Sequence, residues 1–546
     1  MPPSRVNRGL DREGGRGRWW PDTAGGFFMH RFWRAGPAAA LGLAASLLAT
    51  SAPAADAPVK ITIDSGVLVG TAQGIVRAFK GVPYVAAPVG ALRWAPPAPA
   101  AAWKGERAAD AYGPICPQPV NADGSPNLGG ASGTTSEDCL FLNVWTPSGA
   151  KGAPVMVWLH GGGNTLGAGS LGAYDGSAFV RDGVILVTIN YRLGALGFFA
   201  HPALSKAAPA DQPLVAYGIM DQIAALKWVK RNIAAYGGDP ANVTVFGESA
   251  GGADVLTLMA SPLARGLFAK AVVESGGGWS PPVALAKREA QGEAMAVKAG
   301  APAGATVDQL RALPLAALVG KSETQDFGPA VDGRLLQESV SQAFGAGRVA
   351  SVPLIIGSNS YEASLMVSFK LPPAAVLTVA PAALKAAYAD EKTDQAKAAA
   401  MFTDAVMGAP AHWIAGQAAN QASGGRSWLY HFAYVLDMQR ATSPGAGHDS
   451  EIPFVFDSWN HLGALGAGLK LSDRDKAMTA LVHSCWVAFA KTGAPTCAGG
   501  PAWPAYTRKR DTLIDFDAPT TLKTHFAATR YEAQAAAVLP TLDLTK

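Results

Sequence analysis

Val243-Thr244-Val245-Phe246-Gly247-Glu248-Ser249-Ala250-Gly251 is an apolar run that ends in a G-x-S-x-G pentapeptide and passes into further small residues. It reads as a buried strand, a sharp turn and the opening of a helix, with Ser249 at the tip. Glycines two before and two after the serine keep the bend clear of side chains, and a serine held on such a strained turn has its hydroxyl free to attack. With 62 glycines in 546 residues, one such pentapeptide can arise by chance. Its company decides its weight.

Upstream, Val155-Met156-Val157-Trp158-Leu159 reads as a second buried strand and runs straight into His160-Gly161-Gly162-Gly163. Amides on so bare a loop can be aimed at a reacting carbonyl, where donors fixed in advance stabilise the developing oxyanion without reorganising. By spacing, Gly162 and Gly163 would donate from this loop and Ala250 from the residue after the serine. A flexible glycine linker is the alternative, but linkers seldom follow an apolar run so closely.

Between these strands, Gly218 to Tyr236 carries Ile219, Ile223, Leu226 and Ile233 near helical spacing, with Asp221 in its first turn, Gly237-Gly238 at its end and Pro240 beyond. These are helix and helix-boundary signals. Strand, helix and strand therefore alternate around Ser249, the signature of an α/β fold. A chain of this length with 49% hydrophobic residues can bury a large core, and one catalytic domain over residues 55–546 is expected.

The chain resembles the type-B carboxylesterases, the cholinesterase-like branch of the α/β-hydrolases. The resemblance is carried by Phe79-Lys80-Gly81-Val82-Pro83-Tyr84 with Pro88, Gly90, Arg93 and Trp94, and by Ser136-Glu137-Asp138-Cys139-Leu140-Phe141-Leu142-Asn143-Val144. It continues through the glycine loop, Asn190-Tyr191-Arg192-Leu193-Gly194-Ala195-Leu196-Gly197-Phe198, the serine turn and Glu274-Ser275-Gly276. It implies an α/β-hydrolase fold: a large, mostly parallel central sheet flanked by helices, with helical cap or regulatory insertions. The alanine-rich stretches from Pro281 to Ala350 and from Pro372 to Ala422 are the places for those insertions.

The same resemblance implies a triad in the order serine, acid, histidine. Glu362 in Asn359-Ser360-Tyr361-Glu362-Ala363 follows the strand-like Val352-Pro353-Leu354-Ile355-Ile356-Gly357, and resembles the family's acid motif. Tyr361 and Ala363 depart from the residues usual beside it. His448 in Gly445-Ala446-Gly447-His448-Asp449-Ser450-Glu451-Ile452-Pro453-Phe454 resembles the histidine motif. Among the nine histidines, His160 belongs to the glycine loop and His431 sits inside the strand-like Trp428-Leu429-Tyr430-His431-Phe432. The expected chemistry is hydrolysis of a carboxylic ester through an acyl-enzyme, with Ser249 as nucleophile, His448 as base and Glu362 orienting it. No cofactor or metal is expected, since no H-E-x-x-H, P-loop, dinucleotide fingerprint or paired C-x-x-C occurs. Glu248 and Ser275 also match family positions, but read as loop-holding groups. Trp279 is either an acyl-pocket wall or ordinary core, and Asn164 places a polar side chain directly after the glycines.

Residues 1–54 read as a secretory leader: Arg31 and Arg34 precede an Ala/Leu/Gly run over 37–51, and Ala52-Pro53-Ala54 offers an A-x-A cleavage site. Met29 is an alternative start. The run falls short of the roughly 20 residues a membrane span needs, so no integral anchor is expected. The leader's seven arginines against Asp11, Glu13 and Asp22 account for the whole net charge of +4. What remains is neutral and argues for no nucleic-acid partner. A periplasmic or secreted location makes disulfides available. Cys116 and Cys139 match a family bridge, while Cys485 and Cys497 are near enough in sequence to pair around a helix end. Asn242-Val243-Thr244 spells a glycosylation sequon but feeds the serine turn, and reads as buried structure. An interfacial lipase and a non-catalytic binding protein of this fold are the competing readings; the partner expected is a small-molecule ester, with oligomeric state open.

Overall fold

Residues 57–120, 133–319, 327–421 and 424–544 are described by a computed structural model; the expected leader lies outside them. The run at Val243 forms the end of a long strand in a 13-stranded sheet. In chain order the strands are β1 (Ala57–Ile63), β2 (Gly66–Gln73), β3 (Val76–Pro83), β4 (Glu106–Ala108), β5 (Phe141–Pro147), β6 (Ala153–Leu159), β7 (Ile185–Ile189) and β8 (Gly238–Glu248). They continue as β9 (Lys270–Glu274), β10 (Leu354–Asn359), β11 (Ser427–Phe432), β12 (Thr512–Phe516) and β13 (Thr521–Thr524). The order across the sheet is β1-β2-β3-β5-β7-β6-β8-β9-β10-β11-β12-β13, with β4 beside β2. From β7 to β12 every neighbour pair is parallel. The antiparallel pairs lie toward the two edges.

Both faces of the parallel centre are covered, which explains why its strands are apolar throughout instead of alternating. Val155, Val157 and Leu159 of β6 pack with Val243 and Val245 on the face that also receives Ile219, Ile223, Leu226 and Trp228. Met156 and Trp158 point the other way, toward Phe246, Phe456, Val482 and Trp486. The helix expected over 218–236 is α-helical over Tyr217–Asn232 and ends in a 3-10 turn over Ile233–Tyr236. Asp221 does not serve its N-terminus. Its carboxylate is fully buried and receives Arg192 Nη2 at 2.7 Å and Nε at 2.8 Å, a fork-on-carboxylate pair that ties the Asn190-Tyr191-Arg192 segment to the helix.

The two alanine-rich stretches carry short helices, among them Leu285–Lys298, Pro373–Val379, Asp394–Thr403 and Ala409–Ala419. Between the last two, Asp404–Gly408 is a π-helical turn. Both disulfides form, Cys116–Cys139 and Cys485–Cys497. Thr244 of the sequon is fully buried, and the Asn242 side-chain oxygen accepts from Lys270 Nζ. Among the described residues, no helix is long and apolar enough to cross a membrane.

Candidate active site

The carboxyl ends of parallel strands are where open α/β sheets build their sites, and β6, β8 and β10 each deliver a segment there. At the end of β8, Ser249 has φ 55° and ψ −123°, a region that costs a non-glycine residue about 1–3 kcal/mol. Its amide donates to Glu274 O at 2.9 Å, which pins the bend to the end of β9. The helix Ala250–Ala260 then leads away. The turn can close this tightly only because Gly251 lacks a side chain: a Cβ there would stand 2.0 Å from Leu159 O and 2.8 Å from His160 O. Neither backbone oxygen can move aside. Gly251→Ala is therefore expected to cost about 1–3 kcal/mol as overpacking and to lower the denaturant midpoint accordingly; a wild-type midpoint would contradict this geometry.

At the end of β6, His160 fixes the glycine loop. Its ring stacks on Tyr191 at 4.4 Å, its Nδ1 lies 2.9 Å from Gly161 O, and Tyr191 Oη donates to His160 O at 2.7 Å. Burial holds the imidazole down near 4, so it is a neutral structural ring at working pH. Gly162 and Gly163 follow with φ of 103° and 62°. Among the described residues, none of the amides of Gly162, Gly163 and Ala250 donates to another backbone group. Gly163, Ala250 and Ser249 share the wall of a cavity of about 400 Å3.

Glu362 and His448 are brought together. His448 Nδ1 lies 2.6 Å from Glu362 Oε2, and Glu362 Oε1 accepts from Ser275 Oγ at 2.6 Å and from the Asn359 amide at 2.7 Å. Glu362 is fully buried. Despite the unusual Tyr361 and Ala363, the loop is held: Tyr361 N donates to Ala446 O at 2.8 Å, Ala363 N to Thr403 Oγ1 at 3.1 Å, and His448 N to Ser364 Oγ at 2.9 Å. Among the described residues, neither Ser249 Oγ nor His448 Nε2 has a hydrogen-bond partner. Nε2 stands 3.0 Å from Glu248 Oε1, off hydrogen-bond alignment. Catalytic hydrogen bonds are often loose before substrate arrives and tighten in the complex.

Around this pair lies a set of buried carboxyls whose convergence the sequence motifs did not reveal. In the parallel register of β8 and β9, Glu248 is the partner of Glu274. Glu274 accepts from Trp486 Nε1 at 2.7 Å, and Glu451 accepts from Asn359 Nδ2. Burial pushes Glu248 and Glu274 well above the usual carboxyl range and Glu451 up to about 8. For His448, burial acts downward but is outweighed by Glu248 and then Glu362, which push the imidazole up to about 10. Glu248 exerts that push only while charged, and its own burial favours the neutral acid. Glu362, in contact with Nδ1, acts in the same upward direction.

Asn164 has φ 56°, and its Nδ2 donates to Asp254 Oδ1 at 3.3 Å and to Phe327 O at 3.4 Å. Burial, against hydrogen bonds from Gln222 and Asn164, raises Asp254 to about 7. Ser275, read from sequence as a loop-holder, donates its hydroxyl to Glu362. Its place beside Glu274 in the Glu274-Ser275-Gly276 motif was the available signal. Among the described residues, no group of His, Cys, Asp and Glu side chains is arranged to hold a metal ion.

A family model described as the carboxylesterase family matches residues 57–380 and 378–534. The chain is 36% identical to a para-nitrobenzyl esterase of Bacillus subtilis over 83% of its own length and 94% of that protein's. It is 35% identical to a fumonisin B1 esterase of Sphingopyxis macrogoltabida, with 82% and 85% covered. Its fold is similar to a crystal structure of a Geobacillus stearothermophilus carboxylesterase, with a TM-score of 0.77, 32% identity, and 88% and 99% of the two chains covered.

Proposed function

Since the chain belongs to the carboxylesterase family and is a carboxylic ester hydrolase, we propose that Ser249, His448 and Glu362 are its triad, with Gly162, Gly163 and Ala250 as oxyanion donors. The observation that supports this most is the 2.6 Å contact between His448 and Glu362, made at the same end of the sheet as a serine on a strained turn facing unused amides. His448 takes the proton of Ser249 as its oxygen attacks the ester carbonyl, and returns it to the departing alcohol. The oxyanion forms against the three amides. Water then cleaves the acyl-enzyme by the same route, His448 serving again as base. Ser275 and the Asn359 amide keep Glu362 turned toward the imidazole.

The leader over residues 1–54 and the two disulfides support export to the periplasm or beyond. A small, uncharged phosphonate ester tests the nucleophile directly. One equivalent is expected to abolish turnover of an aryl acetate, with the added mass on the peptide that carries Ser249. Modification of any other serine with loss of activity would transfer the role elsewhere.

A further inference from the structure

Asn164 and Asp254 make a polar stretch in the wall of the cavity at Ser249, and the proposed steps of hydrolysis use neither. Both reach it from the elements that carry the proposed oxyanion donors. Asn164 follows Gly163 in the glycine loop, and Asp254 stands one turn beyond Ala250 on the same face of the helix Ala250–Ala260. The two side chains are buried, at 5% and 1% exposure. Leu256, Phe327, Leu336 and Val340 form other parts of the wall, so these polar atoms are set among apolar ones. Asn164 Nδ2 faces Asp254 Oδ1 at 3.3 Å and Phe327 O at 3.4 Å. Both neighbours are acceptors, so the amide nitrogen is the atom that must face them, and Oδ1 is left over. It is buried and has no partner among the described residues.

Asp254 Oδ2 accepts from Gln222 Nε2 at 2.6 Å, whereas Oδ1 receives the long contact from Asn164, and a carboxylate oxygen has room for two bonds. The pair therefore holds acceptors in excess of donors, and a buried acceptor left without a donor costs free energy. We propose that Asn164 and Asp254 form a subsite for a hydroxyl group of the substrate, which donates to them while the ester carbonyl stands at Ser249. This rests on Ser249 being the nucleophile. The hydroxyl can belong to the acyl or the alcohol half, so the substrate class is an ester of a hydroxy acid or of a polyol. A hydroxyl suits the pair better than an ammonium does. Burial raises Asp254 to about 7, so both its forms occur near neutral pH; a hydroxyl can donate to the carboxylate or accept from the acid, and an ammonium can only donate.

The test compares kcat/KM within pairs of esters in which a hydroxyl replaces a methyl of similar size, each value divided by the rate constant for hydroxide hydrolysis. The acyl pair is 4-nitrophenyl 3-hydroxybutyrate and 3-methylbutyrate; the alcohol pair is 2-hydroxyethyl acetate and propyl acetate. In the wild type, one pair is expected to favour the hydroxyl ester by at least about tenfold. Asn164→Gly removes the amide and leaves a residue at ease at φ 56°. It is expected to lower that preference by about tenfold, and any loss of rate common to both esters cancels in the ratio. Should its melt show misfolding, Asp254→Ser, which keeps an oxygen for Gln222, is read the same way. A ratio near unity in both wild-type pairs, or an unchanged ratio in a folded variant, overturns the subsite alone. A stronger preference for 4-nitrophenyl 3-aminobutyrate than for the 3-hydroxy ester gives the pair to a cation and overturns the hydroxyl. Failure of the wild type on every ester overturns the esterase reading, and the subsite with it.

Discussion

Ser249→Ala is expected to lower kcat for any ester by roughly 10^4- to 10^6-fold, while its thermal melt stays with that of the wild type. The two halves of this result have separate causes. Rate is lost because the attacking oxygen is gone, and no neighbouring hydroxyl stands on the turn to replace it. Stability is kept because the hydroxyl makes no hydrogen bond among the described residues, and alanine retains the Cβ. The bend is fixed instead by the Ser249 amide on Glu274 O at 2.9 Å and by Gly251 under Leu159, neither of which the substitution touches. Relief of a hydroxymethyl group from φ 55° leaves at most a small change in midpoint. The measurement is kcat on 4-nitrophenyl acetate beside a calorimetric scan. A variant with wild-type kcat rejects Ser249 as nucleophile, whereas a collapsed melt assigns its hydroxyl a structural role that this geometry does not contain.

What the sequence made legible was whatever chemistry is written in contiguous residues. A serine turn, a glycine loop and the segments around Glu362 and His448 each announce themselves within a few positions, and the apolar runs at Val155 and Val243 became β6 and β8. The run at Val352 was less well bounded: Pro353 lacks an N–H for the ladder, and β10 starts at Leu354. Asp221 misled because an acid in a first turn is the common helix-start signal, and only the tertiary fold brings Arg192 to it. The pairing of Glu248 with Glu274 depends on the register of two strands and was invisible for the same reason. Trp279 read equally as pocket wall or core, and it is both: it is buried among Ala409, Tyr531 and Leu542, and it lines the cavity at Ser249.

Glu362→Gln separates orientation from mere packing. Glu362 Oε1 is already taken by Ser275 and the Asn359 amide, so Oε2 alone faces His448. A glutamine that keeps its oxygen on those two donors must turn its amide nitrogen toward Nδ1. Nδ1 must then accept, the proton moves to Nε2, and the nitrogen that should receive the Ser249 proton no longer can. A wrong tautomer of this kind costs about 10^4 in kcat. The pH profile carries a second, independent sign. Catalysis needs neutral imidazole, and the carboxylate raises the imidazole's pKa; without it the pKa falls and the acid limb of kcat/KM moves to lower pH, even as the plateau collapses. Glu248→Gln is expected to leave the limb nearly in place with far less loss of plateau, because burial already suppresses the charge it removes and the tautomer is not altered. If Glu362 only filled space, its replacement would lower the rate and leave the limb in place, so a profile from pH 5 to 9 on the two variants distinguishes an electrostatic partner of His448 from a wall.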